Sequence, residues 1–452
     1  MSSLHVPYLS TKVPGPKAQA VVSRCQHTVT PSLPHAYPLA VQRAQGVMVE
    51  DVDGNRFLDC AAGIAVCSTG HCHPRVVRAI QDQAARLIHI CGADFYDPMY
   101  VTLAERLSKL VPGNSSKKVF LGNSGAEAVE AALKLARYHT GRTQVLTFFG
   151  AFHGRTMGAV SLSASNPKYK QDFRPLVAGI THIPYAYCYR CEFNLTYPAC
   201  NMACVDYIED SLFARSVAAD EVAAIFVEPI QGEGGYIVPP PGWLAKLRDL
   251  CTKHGILLVA DEVQSGIGRT GKFFATEHWG VEPDIVCSAK ALASGMPLSA
   301  MVARGEVMSW PMGTHGSTFG GNPVACAAAL ATLDVIEDER LMDNATRVGA
   351  HLLANLRDLA KESRLIGDVR GLGLMIGVEM VRDKAKKTKA KHEAQEVVLA
   401  CFKRGLLLLT CGPNSIRFSP PLTITEAQVD TAFQIFAESL AEVENRPLWH
   451  EG

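Results

Sequence analysis

The stretch Ile256-Leu-Leu-Val-Ala-Asp-Glu262 places a run of apolar residues directly before two acids. A run of this length suits a buried strand and is short for a helix. A buried carboxylate is costly unless a cation meets it, so the acids indicate either a functional site or the N-cap of a following helix. Taken alone, the two acids favour the helix cap.

Similar apolar runs flank this one between residues 76 and 331, and helix-period segments separate several of them. The expected strands are residues 118–121, 144–148, 224–227, 256–259 and 284–287, and the expected helices include 126–139 and 241–253. This alternation predicts an α/β domain in which helices cover both faces of a mainly parallel sheet. Ligands of such sheets bind outside the carboxyl ends of the strands, so chemistry is expected directly after the apolar runs.

The two ends of the chain are expected to form a smaller α+β domain. A helical stretch from 326 to 356, a glycine-punctuated strand at 369–379, a strand around Ile416 and a helix at 425–443 follow one another. Residues 47–58, with the turn Asp53-Gly54-Asn55, predict a β-hairpin that joins this domain. The predicted division is an arm and part of the small domain at 1–75, the large domain at 76–331, and the rest of the small domain at 332–452.

Bulk composition excludes several classes of protein. The formal net charge is zero, without the basic stripe of a nucleic-acid-binding protein. No apolar stretch approaches the roughly 20 residues of a membrane-spanning helix. The first 49 residues contain no Asp or Glu, but their prolines interrupt any amphipathic helix, so we expect a proline-stiffened arm rather than a targeting peptide. Fourteen cysteines without a secretory signal favour the cytoplasm, where thiols stay reduced.

A lysine and an acid at neighbouring strand ends indicate the chemistry. Strand 284–287 leads into Ser288-Ala-Lys290, and a lysine in a desolvated place loses its proton more easily and can attack a carbonyl. A pyridoxal ring needs such a lysine at its aldehyde carbon and an acid, here Asp261, at its pyridine nitrogen. The segment Leu121-Gly-Asn-Ser-Gly-Ala-Glu-Ala128 follows a strand and opens a helix, which suits a phosphate group.

Six motifs, in their order along the chain, resemble the class III, fold-type I aminotransferases, the group of 4-aminobutyrate, ornithine and acetylornithine aminotransferases. The resemblance extends from Gly63 to Arg417. The motifs are Asn123-Ser-Gly-Ala-Glu127, Phe152-His-Gly-Arg-Thr156, Glu228-Pro-Ile-Gln-Gly-Glu-Gly-Gly235, Asp261-Glu-Val-Gln264, Ser288-Ala-Lys290 and Ser317-Thr-Phe-Gly-Gly-Asn-Pro323. The resemblance implies a pyridoxal 5′-phosphate enzyme with this family's fold.

The resemblance also implies a role for each cofactor-binding residue. Lys290 would bond the aldehyde carbon and serve as the catalytic base, and Asp261 would pair with the pyridine nitrogen. Gln264 would bind the phenolic oxygen of the ring. The other expected cofactor-binding residues are Phe152 and Val263 on the two ring faces, His153 beside them, Ser124, Gly125 and Ala126 at the phosphate, and Thr318 at the phosphate of a neighbouring subunit.

Two arginines suit a dicarboxylate substrate, because a guanidinium group grips a carboxylate in two places. By resemblance, Arg417 would bind an α-carboxylate and Arg155 a distal carboxylate, and Ile64 would also line the substrate site. Glu233 would pair with Arg417 when a substrate lacks an α-carboxylate, which lets one pocket accept both an ω-amino donor and glutamate. The alternative is a fixed structural ion pair between Glu233 and Arg417.

The sequence departs from the family pattern in two places. Many relatives have glycines where this chain has Ala293-Ser294 and Ser299, beside the expected lysine. The second departure is the set Cys188, Cys191, Cys200 and Cys204, which could bind zinc or an iron–sulfur cluster, form disulfides, or stay reduced among tyrosines. The spacing of the second pair is unusual for a metal knuckle, so no metal site is predicted.

The sequence therefore predicts a transaminase that moves an amino group from an ω-amine, with 4-aminobutyrate first in rank, to 2-oxoglutarate. Ornithine, acetylornithine and β-alanine are alternative donors, and racemisation of an amino acid on the same cofactor is an alternative reaction. A non-catalytic scaffold is disfavoured, since it has no need of Lys290, Asp261 and Arg417 together. The expected assembly is a homodimer with shared active sites, or a tetramer of such dimers, without nucleic-acid or membrane partners.

Overall fold

Two units make up residues 7–446, the part of the chain that the computed structural model describes. The small unit combines the residues up to His73 with those from Asp343 onward, and the large unit is Pro74–Met342. The predicted boundaries stand after residues 75 and 331. The second observed boundary comes later because the helix Pro323–Asp338 packs against the helix Pro74–Ala84 of the large unit.

Sixteen strands and a set of helices form within residues 7–446. The strands are β1 Val41–Gln45, β2 Met48–Asp51, β3 Arg56–Asp59, β4 Lys117–Gly122, β5 Gln144–Phe148, β6 Ile180–Ile183, β7 Val222–Val227, β8 Leu257–Asp261, β9 Ile285–Ser288, β10 Ser299–Arg304, β11 Ile366–Leu372, β12 Met375–Asp383, β13 Thr388–Lys389, β14 Leu406–Leu407, β15 Leu409–Cys411 and β16 Ser415–Phe418. The main helices are Pro16–Thr28, Pro74–Ala84, Pro98–Leu110, Gly125–Thr140, Met157–Leu162, Ala203–Tyr207, Trp243–His254, Pro323–Asp338, Leu341–Glu362, Lys391–Lys403 and Glu426–Glu444.

The sheet of the large unit has the strand order β4-β10-β9-β8-β7-β5-β6. The strands from β9 to β6 run parallel, whereas β10 is antiparallel to both of its neighbours. Successive residues of β5 and β8 enter two different apolar clusters, one around the helix Gly125–Thr140 and one around Trp243–His254. Helices therefore cover both faces, and the predicted α/β fold with a mainly parallel sheet is confirmed.

The small unit contains two sheets, β1-β2-β3-β14 and β11-β12-β16-β15, and β13 pairs with β12. The predicted hairpin at 47–58 is present as the antiparallel pair β2 and β3. Its sheet is completed by β14, which runs parallel to β3 and comes from the far end of the chain. Both chain ends therefore contribute to one sheet.

Two predictions for the chain ends were wrong, and a third was incomplete. The stretch 369–379 is not one strand, because the chain turns at Gly373 (φ 54°) and β11 pairs antiparallel with β12. The predicted stretch 326–356 is helical, but it is divided into two helices, since Arg340 has a left-handed φ of 52° between them. The N-terminal arm contains the helix Pro16–Thr28, because a proline is compatible with the first turn of a helix.

Among residues 7–446, no helix has both the length and the apolar character of a membrane span.

Candidate active site

Two strands of the large sheet end side by side at the predicted chemical residues. Asp261 is the last residue of β8 and pairs with Cys287 of β9, and Lys290 follows shortly after β9 ends. Lys290 is half-buried and has a φ of 40°, in the left-handed region that non-glycine residues seldom adopt. Strained backbone of this kind is concentrated at functional sites. The structure thus brings the expected acid and lysine to the same edge of the sheet.

Asp261 is buried, and each of its carboxylate oxygens accepts a hydrogen bond. Oδ2 lies 2.7 Å from Nδ1 of His153, and Oδ1 accepts the backbone N–H of Val263 at 3.0 Å. Burial acts to lower the pKa of His153, but the hydrogen bond and charge of Asp261 outweigh it, and the net shift is upward. The contact with His153 and the backbone N–H of Val263 together fix the orientation of the Asp261 carboxylate.

The neighbouring acid, Glu262, faces a different part of the structure. Its Oε2 accepts a hydrogen bond from the hydroxyl of Ser265, and its Oε1 accepts the backbone N–H of Thr276 at 2.8 Å. Burial raises the pKa of Glu262. Glu262 therefore anchors the loop after β8. Within the described residues, turns follow β8 directly, so neither acid is the N-cap of a following helix, as the sequence had allowed.

Glu228 connects two loops beside the site. Oε2 accepts the backbone N–H of Phe152 at 3.0 Å, and Oε1 accepts that of Gly232 at 3.0 Å. Burial, and to a smaller extent the charge of Asp261, raises the pKa of Glu228 to about 7, against the opposing charge of His153. This carboxyl group thus fixes the positions of the loops that carry Phe152 and Gly232.

Gln264 is held from two sides. Its Oε1 accepts a hydrogen bond from the hydroxyl of Tyr236 at 2.8 Å. A Cβ on Gly232 would lie 2.1 Å from Nε2 of Gln264, so only glycine allows the backbone to approach the amide this closely. The orientation of Gln264 therefore depends on both Tyr236 and Gly232.

The expected phosphate loop precedes the helix Gly125–Thr140. Ser124 is the exposed N-cap of this helix, and its hydroxyl accepts the backbone N–H of Glu127 at 3.3 Å. A Cβ on Gly125 would lie 2.9 Å from Cγ1 of Val263, and one on Gly154 would lie 2.7 Å from the Cβ of Ala126. The loop thus packs tightly against Val263 and against the segment that follows His153.

Arg155 and Glu233 contact the same side chain, Tyr169, which was not predicted from the sequence. The guanidinium carbon of Arg155 lies over the ring of Tyr169, 4.8 Å from its centroid. The Tyr169 hydroxyl donates a hydrogen bond to Oε1 of Glu233 at 3.3 Å. The ring of Phe152 contacts Tyr169 edge to face, with 5.6 Å between centroids. These four side chains form one group next to the expected cofactor ring.

The remaining predicted residues belong to other segments of the chain. Thr318 is exposed, next to Ser317, whose hydroxyl accepts a hydrogen bond from Nδ2 of Asn123 at 3.2 Å. Arg417 and Ile64 belong to the small unit. Arg417 is buried in β16 between β12 and β15, and Ile64 is exposed with a φ of 69°.

The two serines that depart from the family pattern have distinct environments. Ser294 has a φ of 44°, so this position keeps the left-handed backbone that favours glycine. Ser299 begins β10 opposite Gly122, and within residues 7–446 its buried hydroxyl has no hydrogen-bond partner.

The four clustered cysteines are free thiols in the structure. They line one pocket with tyrosines and other apolar residues, and they are Cys188, Cys191, Cys200 and Cys204. Burial raises the pKa of the Cys204 thiol to about 11, and the neighbouring thiols add to this shift. Among the described residues, no group of three or more His, Cys, Asp or Glu side chains is placed to hold a metal ion. In the structure, the four side chains pack among tyrosines such as Tyr185, Tyr187 and Tyr197.

The sequence analysis predicted no role for three residues of this site, namely Glu228, Tyr236 and Tyr169. Glu228 could have been found, because it ends the apolar run of β7 as Asp261 ends that of β8. Tyr169 sits in a short 3-10 turn without a distinctive pattern, so only the folded chain identifies it.

Known proteins are similar to this chain over most of its length. The family model "Aminotransferase class-III" matches residues 31–440. A 4-aminobutyrate aminotransferase of Mycobacterium tuberculosis is 42% identical over 96% of this chain and 98% of its own length. The 5-aminovalerate aminotransferase DavT of Pseudomonas aeruginosa is 40% identical over 94% of this chain and 99% of its own.

Two further matches bear on the reaction and the cofactor. An alanine/serine racemase of Pyrococcus horikoshii is 37% identical over 97% of this chain and 94% of its own. The solved structure of an amine transaminase from an uncultivated Pseudomonas species, in its PLP-bound form, has a TM-score of 0.85 and is 33% identical, covering 92% of this chain and 97% of that one.

Proposed function

The chain belongs to the class III aminotransferases, which use pyridoxal phosphate, and we propose that it transfers the amino group of an ω-amino acid to 2-oxoglutarate. The donor that we place first is 4-aminobutyrate, and the products are then the corresponding aldehyde and glutamate. Similarity to a 4-aminobutyrate and a 5-aminovalerate aminotransferase, at 42% and 40% identity, supports an amine at one end of the donor and a carboxylate at the other.

The observation that carries this proposal is the environment of Arg155. Its side chain is exposed beside Phe152 and lies over the ring of Tyr169. Among residues 7–446, Arg155 has no carboxylate partner, so its charge is available to a ligand. 4-Aminobutyrate and glutamate both have a carboxylate at the end opposite the reacting amine. A guanidinium in this position suits that carboxylate.

The residues present fit pyridoxal phosphate. Gly125 and Gly232 stand where a Cβ would collide with Val263 and Gln264, so the loops lie close to the residues expected at the ring. We propose that these positions hold the cofactor in the arrangement expected from the family. The set is Lys290 at the aldehyde carbon, Asp261 at the pyridine nitrogen, Gln264 at the phenolic oxygen, Phe152 and Val263 at the ring faces, and Ser124, Gly125 and Ala126 at the phosphate.

Lys290, Asp261 and His153 have separate roles in the proposed reaction. When bound, pyridoxal phosphate supplies a ring that accepts electrons from the reacting carbon of the substrate. We assign to Nζ of Lys290 the removal of the proton from the amine-bearing carbon. The contact of His153 with Oδ2 fixes the Asp261 carboxylate, which would keep a proton on the pyridine nitrogen. Charge held in a buried site of this kind acts strongly, because little water screens it.

We further propose that Arg417 binds the α-carboxylate of glutamate, with Ile64 lining the substrate site, and that Glu233 neutralises Arg417 when the donor has no α-carboxylate. The hydrogen bond from Tyr169 to Glu233 supports a Glu233 carboxylate with a defined orientation. A fixed Glu233–Arg417 pair remains the alternative, and it would make glutamate a poor substrate.

A homodimer with shared active sites, in the cytoplasm, completes the proposal. Segments 87–96 and 312–322 contact each other through the rings of His89 and Phe319, whose centroids are 5.0 Å apart. They expose large apolar side chains, including Ile88, Phe95, Tyr96 and Phe319. An exposed apolar set of this size favours a second copy as its partner. Thr318 lies in this region and would reach the phosphate of the neighbouring subunit. Fourteen free cysteines support a reducing compartment.

The test is a panel of amino donors with 2-oxoglutarate, in which glutamate formation is measured. We expect 4-aminobutyrate to give the highest kcat/KM, ahead of 5-aminovalerate, β-alanine, ornithine and acetylornithine. Glutamate formation from none of these ω-amines would show the proposed function to be wrong.

Lys290→Ala tests the assignment of the base. We expect loss of the visible absorbance of covalently held cofactor and a fall in kcat of at least about 100-fold, the range for a lost acid–base group. The exposed Lys168, in the large unit, gives a matched control as Lys168→Ala, which should keep both. Cofactor linkage and turnover that survive Lys290→Ala would contradict the assignment.

Racemisation of an amino acid is the second candidate, because the alanine/serine racemase is similar over 97% of this chain. Incubation with a single enantiomer of alanine or serine, without any keto acid, separates the two reactions. A racemase continues until both enantiomers are equal, whereas a transaminase stops after one half-reaction. We expect the reaction to stop.

A further inference from the structure

We infer that Tyr169 is the positioning residue that makes the enzyme selective for amines carrying a distal carboxylate. The inference rests on the proposed function, because it concerns the same Arg155 pocket, and it names the residue that keeps this pocket able to bind a carboxylate.

Tyr169 contacts two side chains of opposite charge, Arg155 and Glu233. The Arg155 cation lies over the ring face, 4.8 Å from the centroid, and the Glu233 carboxylate accepts from the hydroxyl at 3.3 Å. Burial and the charge of Glu233 raise the pKa of Tyr169 and outweigh the opposing effect of Arg155, so the hydroxyl keeps its proton and stays a donor. One half-buried side chain therefore fixes both groups.

This arrangement prevents the two charges from neutralising each other. A guanidinium and a carboxylate that are free to rotate near the same ring would pair with each other, and an incoming carboxylate would then have to displace Glu233. The contact of Phe152 with the Tyr169 ring, at 5.6 Å between centroids, limits the movement of Tyr169 itself. Arg155 thus stays available to the ligand while Glu233 is held at the hydroxyl.

Two substitutions separate the contacts. Tyr169→Phe keeps the ring under Arg155 and removes the hydrogen bond to Glu233, whereas Tyr169→Leu removes both. The half-reaction of the holoenzyme is followed by the visible absorbance of its cofactor, with 4-aminobutyrate and with 1-butylamine, which has the same chain length but no carboxylate. Tyr138→Phe is the matched control, since this exposed tyrosine belongs to the same unit and lies at the far end of the helix Gly125–Thr140.

We expect Tyr169→Phe to lower the second-order rate constant for 4-aminobutyrate about tenfold, the typical effect of a lost hydrogen bond to a charged group. Tyr169→Leu should lower it by roughly a further two- to fivefold, because the cation–π contact is also lost. The rate constant for 1-butylamine should change less than about twofold in either variant. Glutarate is a dicarboxylate that cannot react, and its binding to the holoenzyme is measured by calorimetric titration. In each variant, its binding constant should fall by the same factor as the rate constant for 4-aminobutyrate.

Equal losses for 4-aminobutyrate and 1-butylamine would overturn the inference, because they indicate a general structural role. Unchanged glutarate binding in Tyr169→Phe would overturn it as well. Failure of the proposed function has a different signature, since the wild-type enzyme itself would then show no preference for 4-aminobutyrate or glutamate over 1-butylamine.

Discussion

The two adjacent acids at the end of β8 have different roles, one in the proposed reaction and the other in the stability of the fold. Asp261 contacts His153, whereas Glu262 contacts Ser265 and the backbone of Thr276. Their side chains leave the strand in different directions because successive residues of a strand alternate between its faces. We therefore propose that Asp261, and not Glu262, contacts the cofactor ring beside Lys290.

This division gives a paired prediction. Asp261→Asn should lower kcat by about 100-fold or more, since it removes the charge that holds a proton on the ring nitrogen. Glu262→Gln should leave kcat within about threefold of wild type but lower the free energy of unfolding by about 1–3 kcal/mol, because the amide cannot accept both hydrogen bonds. Steady-state kinetics and urea unfolding measure the two effects. A large loss of kcat in Glu262→Gln, with the protein still folded, would contradict the division.

At the scale of elements, the turn Ala62–Ala65 is the least expected piece of structure. Four consecutive residues have positive φ, from 47° at Ala62 through 69° at Ile64 to 58° at Ala65. Left-handed backbone costs roughly 1–2 kcal/mol per non-glycine residue. Asp59 holds the turn, because its Oδ1 accepts the backbone N–H groups of Ala61 and Ala62 at 2.8 and 2.9 Å.

His71 in turn holds Asp59, with 2.7 Å between Nε2 and Oδ2. Burial acts to lower the pKa of His71, but hydrogen bonds to Asp59 and Cys67 raise it from 6.5 to about 10. A histidine with a raised folded pKa adds stability that is complete below the unfolded value of 6.5 and is lost as the pH rises through about 10. The His71–Asp59 pair therefore stabilises the turn fully below about pH 6.5 and progressively less as the pH rises to about 10.

Unfolding at several pH values tests this role. The difference in free energy of unfolding between wild type and His71→Gln should be largest near pH 6 and should shrink steadily towards pH 10. His27→Gln, on the exposed side of the helix Pro16–Thr28, should show no such trend. A difference for His71→Gln that stays constant with pH would show that the charge of His71 does not matter.

The sequence predicted the large unit better than the small one, for a physical reason. The strands of a parallel sheet covered on both faces are continuous apolar runs, and β5 was predicted to the residue. In the small unit, the hairpin of β11 and β12 has a turn too short to interrupt the apolar pattern, so it was predicted as one strand. The left-handed turn at Ala62–Ala65 contains only one glycine, so its backbone had no clear signal.

The candidate site shows the same limit. Lys290, Asp261 and Gly125 were predicted because each follows an apolar strand in a recognisable motif. Tyr169 was not predicted, because its role depends on the placement of Arg155 and Glu233 around its ring. Contacts between residues far apart in sequence leave no local pattern.

At the scale of the whole molecule, the exposed apolar segments 87–96 and 312–322 predict that two copies of the chain associate. Light scattering should give a mass of twice the 48.8 kDa chain or a multiple of that. Ile88→Asp should shift the protein to the monomer, because a charge would be buried at the interface. It should also weaken cofactor binding if Thr318 serves the neighbouring subunit.

Phe173→Asp is the matched control, since Phe173 is about as exposed as Ile88, at 61% against 67%, but lies in another part of the large unit. The control should leave the mass unchanged. A wild-type monomer, or equal dissociation by both substitutions, would contradict the proposed interface.

The pairing of β14 with β3 has a consequence for the order in which the chain folds as it is synthesised. The N-terminal strands emerge from the ribosome first, yet their sheet lacks its last strand until residues 406–407 have been made. At about 5–20 residues per second, the early strands wait on the order of tens of seconds with an open edge. The large unit is complete during that delay and can fold first, so nascent chains stalled before residue 406 should retain a protease-sensitive N-terminal segment beside a resistant domain.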